Sequence, residues 1–223
     1  MRYLAAFIFS LFISSAALAE NFDIGDRQIS VLPPQGYCAL DRNKPNDQTY
    51  MRAIQKDVGE SGLLLMAFFR CDLLALARQG NGGPMYDGGD VVLTMEGGKP
   101  PIFRMTRKDR VIVINRDAAK FDYKSLFAAD GRLLSLPLSS SGQAAAYRGA
   151  IQADDQGFYW GTVSKRFASE GTVSLVGVSA VTLLKQAEVT IRRLRPEAHR
   201  DVMTALLAEQ NAYVARLIAL NGG

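Results

Sequence analysis

The last third of the chain limits its fold more than any other stretch. Residues 146–153 and 158–164 are strand-like runs on either side of Asp154-Asp155-Gln156-Gly157, which is the pattern of a β-hairpin. Residues 172–184 and 189–194 repeat that pattern around Lys185–Glu188. Pro196 stands where a first helical turn favours proline, and a helix is predicted from there to about Leu220, closed by Asn221-Gly222-Gly223. On a helical wheel Val202, Met203, Leu206, Leu207, Tyr213, Val214, Leu217, Ile218 and Leu220 fill an arc of roughly 160°. Hairpins with one apolar face need a cover, and this helix supplies one. The pattern predicts a single α+β domain: a mostly antiparallel sheet packed by helices, including a long C-terminal helix.

The earlier chain is consistent with that plan. Residues 22–32 read as a first strand stopped by Pro33-Pro34, with a turn at Gln35-Gly36. Asn46-Asp47 offers an N-cap to a helix carrying Tyr50, Met51, Ile54 and Val58, ended by Gly59 and Gly62. The unbroken apolar run 63–69 reads as a central strand, and 71–78 as a short helix. Residues 80–89 are glycine-rich, and 90–95 read as another strand. Segment 102–114 is ambiguous. Thr106 with Asp109 imitates a capping box, whereas Val111-Ile112-Val113-Ile114 is β-branched. Residues 126–138 read as irregular and 139–142 as a polar connector. No internal repeat is found.

Residues 1–19 carry one charge, Arg2, then an apolar run, then Ala17-Leu18-Ala19 before Glu20, which is the layout of a cleaved secretory signal. The alternative is an uncleaved anchor, at the short edge of what spans a bilayer. Cleavage after Ala19 would leave residues 20–223 as one soluble domain in the periplasm or outside the cell. It would also lower the formal charge of the 223-residue chain from +4 by one. That modest charge, with 48% apolar residues, excludes a disordered chain and argues against a nucleic-acid binder. The two cysteines, Cys38 and Cys71, are expected to form one disulfide in an oxidising compartment, two buried thiols being the alternative.

The order of elements loosely resembles PsbP-like proteins, exported or lumenal α+β domains that assist larger assemblies. The shared points are a strand at Ile29–Leu32 running into Pro33-Pro34-Gln35-Gly36-Tyr37, the late hairpins and the terminal helix. The resemblance implies an accessory or binding role without catalysis. It carries over no functional residue and does not include the cysteine pair.

Two basic clusters are candidate contacts for an anion or a partner: Arg104, Arg107, Lys108 and Arg110, then Arg192, Arg193, Arg195 and Arg200 beside His199. Guanidinium groups offer bidentate geometry to phosphate or carboxylate, and nearby acids reduce the field. An anionic lipid surface or the acidic face of an envelope protein fits an exported chain better than nucleic acid does. A solvated basic face is the plain alternative. Tyr147, Tyr159 and Trp160 form a candidate aromatic patch, although Tyr159 points away from Trp160 if the segment is a strand. Ala205, Ala208, Ala212, Ala215 and Ala219 line the other side of the last helix. They are good helix formers, or a second packing surface for segment 102–114 or another copy of the chain. Gln210, in the apolar arc, is expected to sit at the helix–sheet boundary and bond a loop carbonyl, a polar contact in a cavity being the alternative.

No cofactor or metal is expected. There is one His, no C-x-x-C, no H-E-x-x-H and no G-x-S-x-G, and the glycine segment lacks the Lys-Ser/Thr ending of a phosphate loop. Asp154-Asp155 reads as a turn and not as a Ca²⁺ loop. The sequence therefore favours an exported accessory or binding protein of the cell envelope that is not an enzyme. The alternatives are a carboxylate-dependent hydrolase with its cleft beside residues 80–89, and a structural homo-oligomer joined through the C-terminal helix.

Overall fold

The computed structural model describes residues 19–81, 85–118, 123–134, 146–168 and 171–223. Two short strands, β1 (Glu20–Ile24) and β2 (Arg27–Val31), pair as a separate hairpin. Then follow β3 (Tyr37–Ala39), α1 (Pro45–Val58), β4 (Gly62–Arg70), α2 (Cys71–Arg78) and β5 (Gly88–Thr94). The second half holds α3 (Arg107–Asp117), β6 (Ala146–Ala153), β7 (Phe158–Ala168), β8 (Gly171–Leu184), β9 (Ala187–Pro196) and α4 (Arg200–Leu220). The seven strands β3 to β9 form one antiparallel sheet in the order β3-β4-β5-β9-β8-β7-β6. This is the α+β domain that the periodicity predicts. Among the described residues no helix is long and apolar enough to cross a membrane.

Alternation along β9 assigns the two faces of the sheet. Ala187, Val189, Ile191 and Arg193 are buried on one face, and Glu188, Thr190, Arg192 and Leu194 lie on the other. The first face is covered by α4 and the β1–β2 hairpin. Met203, Leu206, Gln210, Tyr213, Val214, Leu217 and Ile218 of α4 are buried, and most of them join Val176, Val178, Val189 and Ile191 in the main core. Gln210 donates Nε2–H at 2.8 Å to Ile191 O, a carbonyl of strand β9 and not the loop carbonyl that the sequence suggests. Beyond the helix end, the Asn221 side chain accepts from Ser30 N and donates to Ser30 O, both at 2.9 Å, clamping β2 to α4. The Phe68 ring meets those of Tyr37 and Tyr213 edge to face, each 5.7 Å away, and so joins β3, β4 and α4. Gly89 lies under this stack. A Cβ there would stand 2.0 Å from Arg192 O, so a side chain would push β5 off β9.

The second face is covered only in part. At one end α1 and α2 bury Met51, Leu64, Ala67, Leu74 and Val92 in a smaller core. At the other, α3 lies against β6, β7 and β8, with Arg110 bound to Glu188 of β9. It is therefore this sheet face, and not the alanine side of α4, that α3 covers.

Several expectations need correction. Segment 22–32 is not one strand, because Gly25, at φ +63°, turns it into the β1–β2 hairpin. Helix α1 begins on Pro45 without a side-chain cap, since Asp47 turns inward to Arg78. Segment 102–114 resolves into an isolated bridge at Ile102 followed by α3. There the Thr106 cap, accepting from Asp109 N at 3.1 Å, overrides the β-branched run. The late hairpin is tighter than Lys185–Glu188. Lys185 and Gln186 both take positive φ, as a two-residue type I′ turn requires, and the strand resumes at Ala187. Pro196 ends β9 and does not start the helix; His199 caps α4, its Nδ1 accepting from Asp201 N at 3.2 Å. Of the glycine segment, Gly88 and Gly89 belong to β5, and residues 82–84 lie outside the described residues, as do 135–145.

Candidate functional site

Between α1 and α3 the second sheet face opens into a cleft of about 530 Å³. Its shape follows from register. Asp90, Arg192, Ser179 and Trp160 are successive partners in one row across β5, β9, β8 and β7. The next row is Gly88, Leu194, Gly177 and Thr162. Glycine, serine and threonine leave the middle of the sheet low, and larger side chains stand around them. Ile54 and Asp57 of α1, with Met85 and Tyr86, form one wall, and Trp160 stands at the far end of its row. Phe69, Leu175 and Leu194 add apolar surface.

One ion pair occupies the floor. Arg192 Nε donates to Asp90 Oδ1 at 2.6 Å and Nη2 to Oδ2 at 2.8 Å, the planar fork-to-carboxylate geometry. Burial pushes the Asp90 carboxyl above its ordinary value, and the Arg192 guanidinium offsets only part of that rise. The pair carries no net charge, and the arginine keeps N–H donors beyond the two used here. The hydroxyls of Ser179, Thr190 and Thr162 line the same floor.

A second polar cluster lies on the other face, at the sheet end near the cysteines. Cys38 and Cys71 form a disulfide at the same end of the sheet, with Cα atoms 4.9 Å apart and Cys38 packed on the smaller core of the second face. Tyr37 Oη donates to Asp87 Oδ1 at 2.6 Å and lies 3.0 Å from Arg195 Nη2. Arg195 donates to both oxygens of Glu209, at 3.0 and 2.8 Å, and Arg193 reaches the same carboxylate at 2.9 Å. Burial pushes the Glu209 carboxyl up, but the two arginines outweigh it and hold it below the usual carboxylate range. Arg193 is 2% exposed, sits 4.8 Å over the Tyr37 ring, and has an Nε with no hydrogen-bond partner. Two open hollows of about 610 and 460 Å³ flank this network.

The basic residues singled out in the sequence do not face one region. Arg192 turns to the cleft and Arg193 to α4, because neighbours on a strand alternate. Arg200 stands beside Asp201, 3.8 Å away, at the start of α4. In the other cluster Arg107 donates to Leu183 O, Lys108 lies 3.3 Å from Asp155, and Arg110 pairs with Glu188 and stacks on Phe103. Arg104 is exposed. The aromatic patch also divides. Tyr159 is fully buried on the α4 face, where burial drives its phenol pKa up, while Trp160 lines the cleft. The side chain of Tyr147 lies outside the described residues. His199 is spent on its cap and on Asp130 O, 3.1 Å from Nε2. Asp154 accepts from the backbone of Gln156 and Gly157, closing the turn. Among the described residues, no three His, Cys, Asp or Glu side chains gather as a metal site.

Sequence reasoning missed Asp90, Ser179, Thr190, Asp87 and Glu209. Asp90 and Arg192 are 102 positions apart, and only the β5–β9 register brings them together. A lone acid in a strand that otherwise reads as buried was the one signal that could have raised Asp90. No family model, curated protein or solved structure matches the chain.

Proposed function

We propose that this is an exported binding protein of the cell envelope that works without catalysis and holds its ligand in the cleft between α1 and α3. The observation that carries this reading is the neutral, bidentate Asp90–Arg192 pair laid on a floor of small residues and walled by apolar side chains. A few fixed polar groups in an apolar hollow of several hundred Å³ are what small-molecule sites commonly present. The cleft does adjoin Gly88 and Gly89 and does contain two acids, Asp57 and Asp90, as a carboxylate hydrolase would need. Asp90, however, gives an oxygen to each of two guanidinium N–H groups, which suits positioning better than proton transfer. The leader-like residues 1–19 and the Cys38–Cys71 disulfide support export. The accessory role implied by the PsbP-like order of elements agrees with binding.

Two measurements test the proposal. Protein recovered from the envelope should begin at Glu20 on N-terminal sequencing; recovery with Met1 still attached would count against export through a cleaved signal. N-Phenyl-1-naphthylamine, a neutral fluorescent aromatic amine, should bind the folded protein and change the emission of Trp160, the only tryptophan. Ser179→Phe, which fills the floor, should weaken that binding at least about tenfold with an unchanged circular dichroism spectrum. Equal binding by the variant would remove the cleft as the site.

A further inference from the structure

We infer that the cleft takes a neutral saccharide, specifically a short oligosaccharide segment laid across the strands. This rests on the cleft being the ligand site and names what fills it. The first argument is charge. Asp90 and Arg192 neutralise each other through two hydrogen bonds, so a charged ligand would have to displace one of them to find its own counter-charge. A polyhydroxyl ligand needs no such exchange. Each of its hydroxyls both donates and accepts, and the floor offers groups of both kinds. The remaining N–H donors of Arg192 are held in a fixed plane by Asp90, and its side chain is 35% exposed. The hydroxyls of Ser179, Thr190 and Thr162 can act either way, and none of them bonds a side chain of another described residue.

The second argument is shape. Asp90, Arg192, Ser179 and Trp160 stand in one row on four adjacent strands. Neighbouring strands are about 4.8 Å apart, close to the repeat of an extended pyranose chain. Successive rings can therefore meet successive strands in register. The third argument is the apolar surface. A pyranose has a C–H face as well as polar edges, and an aromatic ring is its natural partner. Trp160, Phe69 and Leu194 line the cleft beside the hydroxyls, so polar and apolar contacts alternate over a short distance. A purely lipidic ligand would leave the polar floor unpaired on burial.

The test uses the full-length mature protein and follows Trp160 emission and heat of binding against a panel of neutral oligosaccharides of glucose, N-acetylglucosamine, galactose and mannose. At least one is expected to bind saturably, with an affinity unchanged by high salt. Arg192→Lys, which keeps the charge but loses the planar fork, should weaken it about tenfold. Ser179→Phe should abolish it. If no sugar binds while N-phenyl-1-naphthylamine still does so in a Ser179→Phe-sensitive way, the saccharide inference falls and the binding cleft stands. If neither binds, both fall. Undiminished sugar binding by Arg192→Lys would also overturn the inference, because the ligand would then lie elsewhere.

Discussion

Replacing Asp47 with alanine is expected to lower the stability of the fold by about 3 kcal/mol, at the lower end of the range for breaking a buried pair by removing one partner. Asp47 is 1% exposed, although it lies in the first turn of a surface helix. Its carboxylate accepts from Asp41 N at 2.8 Å and from the Nε and Nη2 of Arg78 in α2. The same arginine reaches Ala39 O at the end of β3. One side chain thus joins α1, α2 and the edge of the sheet. Without it the Asp41 amide and the guanidinium lose their acceptor. The Arg78 side chain is 28% exposed and can turn partly to water, which is why the lower end of the range is expected.

The effect should depend on pH with a definite sign. Burial pushes the Asp47 carboxyl up, but the hydrogen bonds from Arg78 and from the Asp41 amide, with the charges of Arg78 and Lys44, hold it below its ordinary value. Its contribution is therefore fully present above the unfolded-state pKa of about 3.9 and is lost as pH falls through the lower folded value. Urea unfolding of wild type and Asp47→Asn should show a large gap at neutral pH that narrows and closes as the pH falls below the folded-state pKa. A gap that persists in acid would mean the carboxylate charge is not the cause.

Removing the Cys38–Cys71 bond should cost about 3.5–4 kcal/mol, because the bond closes a loop with a sequence separation of 33. The local consequence is as informative as the global one. β3 has only three residues in the ladder, and Cys71 is the first residue of α2, its amide donating to Gly36 O at 3.2 Å. A Cys38→Ser/Cys71→Ser variant is expected to unfold at lower urea. Wild type under reductant should lose hydrogen-exchange protection at 37–39 before the rest of the sheet. Uniform loss across the sheet would show that the bond acts only on the unfolded chain. Thiol counting under denaturing, non-reducing conditions should find no reactive cysteine.

What could be read in the sequence was what repeats locally. The β6–β7 and β8–β9 hairpins announce themselves through turn residues and paired runs, and α4 through its apolar arc. The Thr106 cap was also visible, but the four β-branched residues that follow it point the other way, and only burial of Val111 against the sheet shows which wins. The candidate site was scarcely legible. Its polar centre pairs Asp90 with Arg192, and the arginine looked like one member of a basic cluster when it is the internal counter-ion of a distant acid. The aromatic patch failed for a simpler reason, since Tyr159 and Trp160 are neighbours in sequence and so must point through opposite faces of the sheet.

The strand order also sets a schedule for an emerging chain. β3, β4 and β5 come from the first half of the sequence, β6, β7 and β8 from the second, and β9, the last strand to appear, is the only one that bonds to both groups. Until residue 187 and its successors are available, β5 has an open edge of backbone donors and acceptors, with Val91, Val92 and Leu93 beside it. The pairing that closes it spans about half the chain, the kind of long-range contact that forms slowly. No prefix of the chain can complete the sheet, and the cleft comes into being only when nearly all of the chain has arrived.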